Sequence, residues 1–307
     1  MRRLNLNIKF ESSLQLAKAL SNIGYELDIT QLTNGSQKGE YKARSTSDST
    51  LVCQLRPSQD ISIEGSRNPG FTPFIISSGQ MIDHGQMVND GTIFHFGQKL
   101  NQTSTIHYAN TTMSAVLMPS NFINENSSEI VLERISQSNE IIPRGKAYQH
   151  LSKQIQLNLK TPKTSLDEWL LLIEDAFNHH KNDAKPCFIP EWPIASGVIN
   201  AGRKSFNPER LRLKELCASL YVSKNKIYTT YYKIFGRSPI EVIRCIRLEQ
   251  VKKLLEQPSL RDEMNLHSIY DMHTHYGFSN KRSFRHQYEV LFGEKPSDTL
   301  SRNRKQI

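Results

Sequence analysis

The sequence predicts an α+β multidomain chain: an N-terminal β-rich domain, a barrel or a sandwich, with a helical appendage, then an all-α C-terminal domain of two tandem helix-turn-helix units. Three observations predict it. Short strands punctuated by Gly, Pro, Asn and Ser crowd the stretch from about Thr50 to Met118, the apolar period becomes helical from Gly145 onward, and the last third of the chain repeats itself. At 307 residues the chain is long enough for two domains with real cores.

In the first part, "SSLQLAKALSNIG" reads as a helix closing at Gly24, and "TLVCQLR" alternates Leu51, Cys53 and Leu55 as a half-buried strand does. "ISIEG", "FTPFIISSG", "GTIFHFG" and "MSAVLMP" follow at close intervals, the pattern of an all-β barrel or sandwich within residues 1–145. Such a domain either encloses a small ligand or serves as a packed scaffold. Residues 146–184 then carry two amphipathic helices. "KAYQHLSKQIQLNLK" places Ala147, Leu151 and Ile155 on one stripe; "SLDEWLLLIEDAFNHH" opens with Ser165 and Glu168 in capping-box positions and lines up Leu166, Trp169, Leu170, Ile173 and Phe177. Two readings of this pair weigh equally: a cover for the open face of the β domain, or a dimerisation seam. "KNDAKPCFIPEWPIASG", with three prolines and Gly197, reads as a linker across residues 185–202.

Residues 203–307 contain the repeat. Ile227, Tyr231, Gly236 and Pro239 recur as Phe284, Tyr288, Gly293 and Pro296 at an offset of 57; upstream the offset is 56, Leu213, Leu216, Leu220 and Ser223 matching Ile269, Met272, Tyr276 and Ser279. Each copy reads as a helix, a short turn and a second helix ended by glycine. In the first, Ser223 caps a helix that packs Ile227, Tyr231 and Ile234 inward and leaves Lys224, Asn225, Tyr228 and Thr229 outside. In the second, Ser279 starts the helix, Phe284, Tyr288 and Leu291 follow the i, i+4, i+7 rule, and Asn280, Lys281, Arg282 and Arg285 point elsewhere. Helix-turn-helix units place such a second helix in the major groove of duplex DNA with its N-terminal residues against base edges. Arg and Lys suit guanine or phosphate there, and Asn suits adenine.

Between the copies, Gly236 stops one helix and Ser238, Pro239 and Glu241 form the start of another. Ile240, Ile243, Arg247, Val251 and Leu254 to Leu255 track one face of it. A stiff linking helix of this kind holds two reading heads at a fixed separation.

Charge sorts along the same boundary. From Arg203 to the end, 21 Lys and Arg against 11 Asp and Glu leave a net of +10, whereas the preceding residues sum to −1. A basic domain on a near-neutral partner points to a polyanion, most simply nucleic acid. "MRRLNLNIKFESS" lacks the apolar core of a secretory leader, and no window reaches about 18 apolar residues, so the expectation is a cytoplasmic protein that does not enter the membrane. Cys53, Cys187, Cys217 and Cys245 are far apart and read as buried free thiols.

An enzyme reading would use His84, His95 and His107 as metal ligands in a cupin-like barrel, but they lack the tight HxH-plus-carboxylate spacing of such sites. His179 and His180 diverge by about 100° on a helix, and His273 and His275 are also misplaced for chelation. No Gly-rich phosphate loop, GxSxG elbow or HExxH is present. No catalytic function, cofactor or metal is therefore expected. A protein that coats DNA or RNA without reading sequence would need only the basic third, not two spaced recognition helices.

The C-terminal residues resemble the AraC/XylS family of bacterial transcription regulators. The family signature is similar to Ile269, Asp271, Gly277, Phe278, Ser283, Phe284, Tyr288, Gly293 and Pro296, and its linking-helix pattern to Gly236, Ser238, Pro239, Arg247, Leu248, Leu254 and Leu255. The resemblance covers about residues 207 to 300. Cys217 and His273 stand where the first helix of each unit usually has a small residue, Tyr221 where the second copy has Gly277, and Thr229 and His286 where the recognition helices commonly have arginine. Lys226 or Arg285 can substitute for those arginines.

The resemblance implies a sequence-specific DNA-binding regulator whose N-terminal domain binds a small effector or mediates homodimerisation, and an activator that contacts RNA polymerase. A repressor is the alternative. The implied DNA-binding set is Ser223, Lys224, Asn225, Lys226, Tyr228, Thr229, Asn280, Lys281, Arg282, Arg285 and His286. The aromatic residues Phe94, Phe96 and Tyr108 suit a polar organic ligand or, more commonly for such rings, a core.

Overall fold

The computed structural model describes residues 4–46, 48–95, 102–137, 141–142, 145–178, 187–204 and 212–304. The chain forms two compact units, Met1–Ile29 with Lys38–Ile189, and Thr30–Gln37 with Pro190–Ile307.

The first unit begins β1 (Asn5–Phe10), α1 (Ser13–Ser21), β2 (Glu26–Gln31), β3 (Gly39–Ser45), β4 (Leu51–Arg56), β5 (Ile61–Ser66) and β6 (Phe71–Ser78). It continues β7 (Met81–Asp83), β8 (Gln86–Val88), β9 (Thr92–His95), β10 (Gln102–His107), β11 (Thr112–Pro119), α2 (Ser120–Asn126), α3 (Glu129–Gln137), β12 (Ile141–Ile142), α4 (Lys146–Lys160) and α5 (Leu166–Asn178). The last two residues of β2 count with the second unit. The strands form two sheets, in the orders β1-β3-β4-β11-β6-β9-β12 and β2-β5-β10-β7-β8.

Side-chain alternation makes the first sheet two-faced. Ala115 of β11 lies opposite Cys53 of β4 on one side and Ile75 of β6 on the other. Those three residues join Leu51, Leu55 and Leu117, with Ile61 and Met81 of the second sheet and Leu16 and Leu20 of α1, in one core. Their neighbours Val52, Phe74, Ile76, Val116 and Met118 point the other way, into a second core with Leu151 and Ile155 of α4 and Trp169, Ile173 and Phe177 of α5. The apolar stripes of α4 and α5 therefore cover the outer face of the sheet. Ser165 and Glu168 form the reciprocal hydrogen bonds that start α5.

The structure departs from three expectations here. Strands begin at Asn5, well before Thr50: β1 and β3 carry the polar/apolar alternation of half-buried strands, a signal the sequence offered from the start. Cys187 is exposed and Cys217 half-buried; only Cys53 and Cys245 are buried thiols. Residues 185–202 are not a linker throughout: Ile189 donates to the Gly85 carbonyl and Met87 to the Cys187 carbonyl, and Trp192–Lys204 is a helix. Phe96, His179 and His180 lie outside the described residues.

That helix, α6, opens the second unit with α7 (Leu213–Ser219), α8 (Lys224–Phe235), α9 (Pro239–Glu256), α10 (Pro258–Glu263), α11 (Ile269–His275), α12 (Lys281–Phe292) and α13 (Pro296–Arg304). Pro193 sits in the first turn of α6, where its missing N–H costs nothing. Trp192, Ala195, Val198 and Ile199 supply its buried face. The Tyr231 hydroxyl of α8 donates to the Ala195 carbonyl at 2.9 Å, and Gly197 leaves room for Leu220, whose Cδ2 lies 2.6 Å from where a Cβ would stand. The second helix pair packs Met272, Tyr276, Phe284, Tyr288 and Leu291 against Leu248, Val251, Leu254 and Leu255 of α9.

Within this unit, Thr30–Gln37 closes the end of α12. The Gln31 side-chain amide donates to the Leu291 carbonyl at 2.6 Å, and the Gly35 amide reaches the Val290 and Leu291 carbonyls at 3.1 and 3.0 Å. Last-turn carbonyls have no partner inside their own helix. Gly35 makes its contact with a φ of +110°, a conformation that side chains disfavour.

Candidate nucleic-acid interface

Both helix-turn-helix units are built by the same local rules. α8 and α12 each end at a left-handed glycine, Gly236 at φ +63° and Gly293 at φ +70°. Ile227 and Tyr231 in one, and Phe284 and Tyr288 in the other, are buried. The turns differ by one residue. Tyr221 and Gly277 both take left-handed backbone, φ +54° and +83°, and then Val222 leads directly to the cap Ser223 while Phe278 and Ser279 lead to the cap Asn280. The caps are thus 57 apart, like the rings, and Ser279 is the inserted turn residue rather than the helix start. Ser223 Oγ accepts from the Lys226 amide at 3.2 Å, and Asn280 Oδ1 from the Ser283 amide at 2.9 Å.

α11 also explains its histidine. His273 is buried; its Nδ1–H donates to the Phe278 carbonyl at 2.7 Å, and its ring stacks on Phe284 with centroids 4.8 Å apart. The side chain that replaces a small residue therefore fixes the turn. The linking helix α9 starts with the full capping box of Ser238 and Glu241. Ser238 hydrogen bonds hold the Glu241 carboxyl below its ordinary value. Along its 18 residues α9 is about 27 Å long.

The expected contact residues all reach the outside of their helices, Tyr228 half-buried and the rest exposed. Several are occupied. Ser223 and Asn280 cap their helices, and the Thr229 hydroxyl donates back to the Asn225 and Lys226 carbonyls at 3.0 and 3.1 Å. Lys226 pairs with Glu191 at 3.4 Å, beside Lys233 at 2.9 Å, so the cation that could replace the missing arginine is partly neutralised. Lys224 stands 5.8 Å over the Tyr228 ring. By contrast, the side chains of Lys281, Arg282 and Arg285 form no hydrogen bond or ion pair among the described residues and crown the first turns of α12. Sequence reading passed over Tyr232, which is 56% exposed and stands 6.5 Å from Tyr228; its position four residues on was the available signal.

No family model matches the chain. It is 35% identical over 91 residues to the XylDLEGF operon transcriptional activator 2 of Pseudomonas putida, a match spanning 30% of this chain and 55% of that protein. It is 32% identical over 96 residues to XylDLEGF operon transcriptional activator 3 of the same organism, across 31% of this chain and 28% of the relative. Over part of its length the chain is similar to AraC/XylS-type transcriptional activators. Its matches span about half or less of the length of these relatives. Among solved structures, the AraC-like transcriptional activator CuxR is 12% identical, with a TM-score of 0.40, over 80% of this chain and 94% of that one. ToxT from Vibrio cholerae O395 is 11% identical, with a TM-score of 0.32, over 90% and 97%. The polar outer faces of α8 and α12 are the candidate surfaces for a duplex.

No cluster of three or more His, Cys, Asp or Glu among the described residues is placed to hold a metal. No described helix is long and apolar enough to cross a membrane. The first unit holds a cavity of about 60 Å³, lined by apolar side chains with Tyr25, Tyr41, Thr103, Thr105 and His107. The Tyr41 hydroxyl and His107 Nδ1 are buried without a hydrogen-bond partner, and His107 Nε2 shares a hydrogen with Thr105 Oγ1 at 3.2 Å. Burial pushes His107 down to about 4, so its ring is neutral near pH 7.

Proposed function

We propose that the protein is a sequence-specific transcription regulator that binds duplex DNA in the cytoplasm, activates transcription through RNA polymerase, and answers to a small molecule through its first unit. The observation that carries this reading is the pair of helix-turn-helix units, each presenting a polar recognition face, in the one part of the chain that holds the net positive charge. Asn225 and Lys224 on α8, and Lys281, Arg282 and Arg285 on α12, read bases or grip phosphates. The other six residues of the expected set cap, orient or flank them.

The cavity supports the effector half of the reading and narrows its chemistry. It has no Lys or Arg in its lining, and a carboxylate buried there would lack a counter-charge. A neutral, mostly apolar molecule with hydrogen-bonding capacity suits a lining that includes Tyr41 and His107. At 60 Å³ the space is below the ~150 Å³ that admits benzene, so the occupant has only a few heavy atoms unless the cavity widens. Any homodimer would use surface other than the stripes of α4 and α5 already buried on the sheet.

The test is selection of bound sites from a random duplex pool, followed by affinities for the selected and scrambled duplexes at physiological salt. Specific recognition gives a preference of about 10³ or more. A ratio near unity would identify a protein that merely coats nucleic acid.

A further inference from the structure

The linking helix carries its own basic face. Ile240, Ile243, Arg244 and Arg247 fall at i, i+3, i+4 and i+7 of α9 and share one side of it. Ile243 is buried, Arg244 and Arg247 are half-exposed, and Ile240 is 47% exposed. This side looks across a cleft of about 270 Å³ at the turn and first turn of the second reading head, with Phe278, Asn280 and Ser283 on its far wall. No carboxylate lines the cleft.

Two guanidinium groups facing hydroxyl and amide donors across an acid-free cleft suit a tetrahedral oxyanion, because the planar fork of arginine matches two of its oxygens. Neighbouring Lys281 and Arg282 crown the same first turn of α12. The desolvation that lowers the basicity of Arg247 makes an anionic partner more valuable to it than to a fully solvated lysine.

We propose that Arg244 and Arg247 clamp a backbone phosphate of the DNA in this cleft, making the linking helix a third contact between the two reading heads. The proposal rests on the DNA-binding reading. A phosphate contact carries no sequence information of its own, so it should strengthen binding to every duplex alike.

The experiment titrates the full-length protein and its Arg244→Ala, Arg244→Lys and Arg247→Lys variants against a selected duplex and a random duplex over a salt series. Loss of one phosphate contact in Arg244→Ala lowers the slope of log affinity against log salt by about 0.9. It also weakens both duplexes by the same factor, leaving their ratio unchanged, while Arg244→Lys recovers the slope. Arg247→Lys keeps the charge of a half-buried side chain, so a folded variant with the wild-type slope but weaker binding to both duplexes reports the lost fork. Unchanged slope and affinity in Arg244→Ala, or a changed ratio between the duplexes, overturns the clamp. Intact DNA binding with lost activation would place an acidic protein partner in the cleft and likewise overturn it. Failure of the wild-type protein to bind either duplex would instead overturn the DNA-binding reading itself.

Discussion

The backbone amide of Gln31 donates to the buried carboxylate of Glu249 at 3.0 Å, across 218 residues of sequence. The same residue's side chain closes the end of α12, so one short segment bonds both the linking helix and a recognition helix within the second unit. Glu249→Ala leaves the Gln31 amide buried without an acceptor and should cost about 1–3 kcal/mol in urea unfolding. Gln31→Ala should cost a similar amount, and the double variant less than the sum, because both belong to one network. Strict additivity would contradict this coupling.

Tyr221 and Gly277 take equivalent left-handed turn positions, and the tyrosine ring is 94% exposed with nothing to gain by packing. Left-handed backbone costs a residue with a Cβ roughly 1–2 kcal/mol, partly offset by the chain entropy that glycine adds to the unfolded state. Tyr221→Gly should therefore raise stability by roughly 0.5–1 kcal/mol and Gly277→Ala should lower it by about 1–2 kcal/mol. Chemical denaturation of the two variants checks both signs.

His107 ties the first unit to pH. Its folded value of about 4 lies below the ordinary 6.5, so between those values the unfolded chain binds the proton that the folded chain refuses. Stability from this group is complete above pH 6.5 and is lost as pH falls toward 4, by on the order of 3 kcal/mol over the window. His107→Gln should lose less stability than wild type between pH 7 and 4.5. Equal losses would mean that the ring is hydrated and titrates normally in the folded protein.

Thiol labelling should resolve the four cysteines. Burial pushes Cys53 and Cys245 up to about 12, while Cys187 is exposed and Cys217 half-buried. Cys187 should react first under native conditions, Cys217 more slowly, and Cys53 and Cys245 only after denaturation. Rapid native labelling of Cys245 would show that the core around α9 opens.

The C-terminal architecture was legible because its cues are local and repeated: apolar rings at helical spacing, a left-handed glycine after each recognition helix, and a capping box before the linking helix. Helix α6 was not. Pro190, Pro193 and Gly197 read as breakers, yet Pro193 falls in the first turn and Gly197 is a close-contact position for Leu220. The second helix start was displaced by one residue because both Ser279 and Asn280 are good caps, and only the 57-residue spacing of the rings decides between them. The role of Gln31 could not be read at all, since its partners lie more than 200 residues away. In the first unit the alternation of β4 foretold one face of the sheet, but the cover of α4 and α5 on the other face needed the three-dimensional register.

The central claim is that α8 and α12 read two separate sets of bases. It is tested most directly by selecting duplex sites with the wild-type protein, Asn225→Ala and Arg282→Ala, and comparing the base preferences position by position. Two reading heads predict that each variant flattens preference at one base position only, the two positions lying about one helical turn apart, for a loss of roughly 1–3 kcal/mol each. Uniform weakening of all sequences by both variants, with every base preference intact, would contradict it.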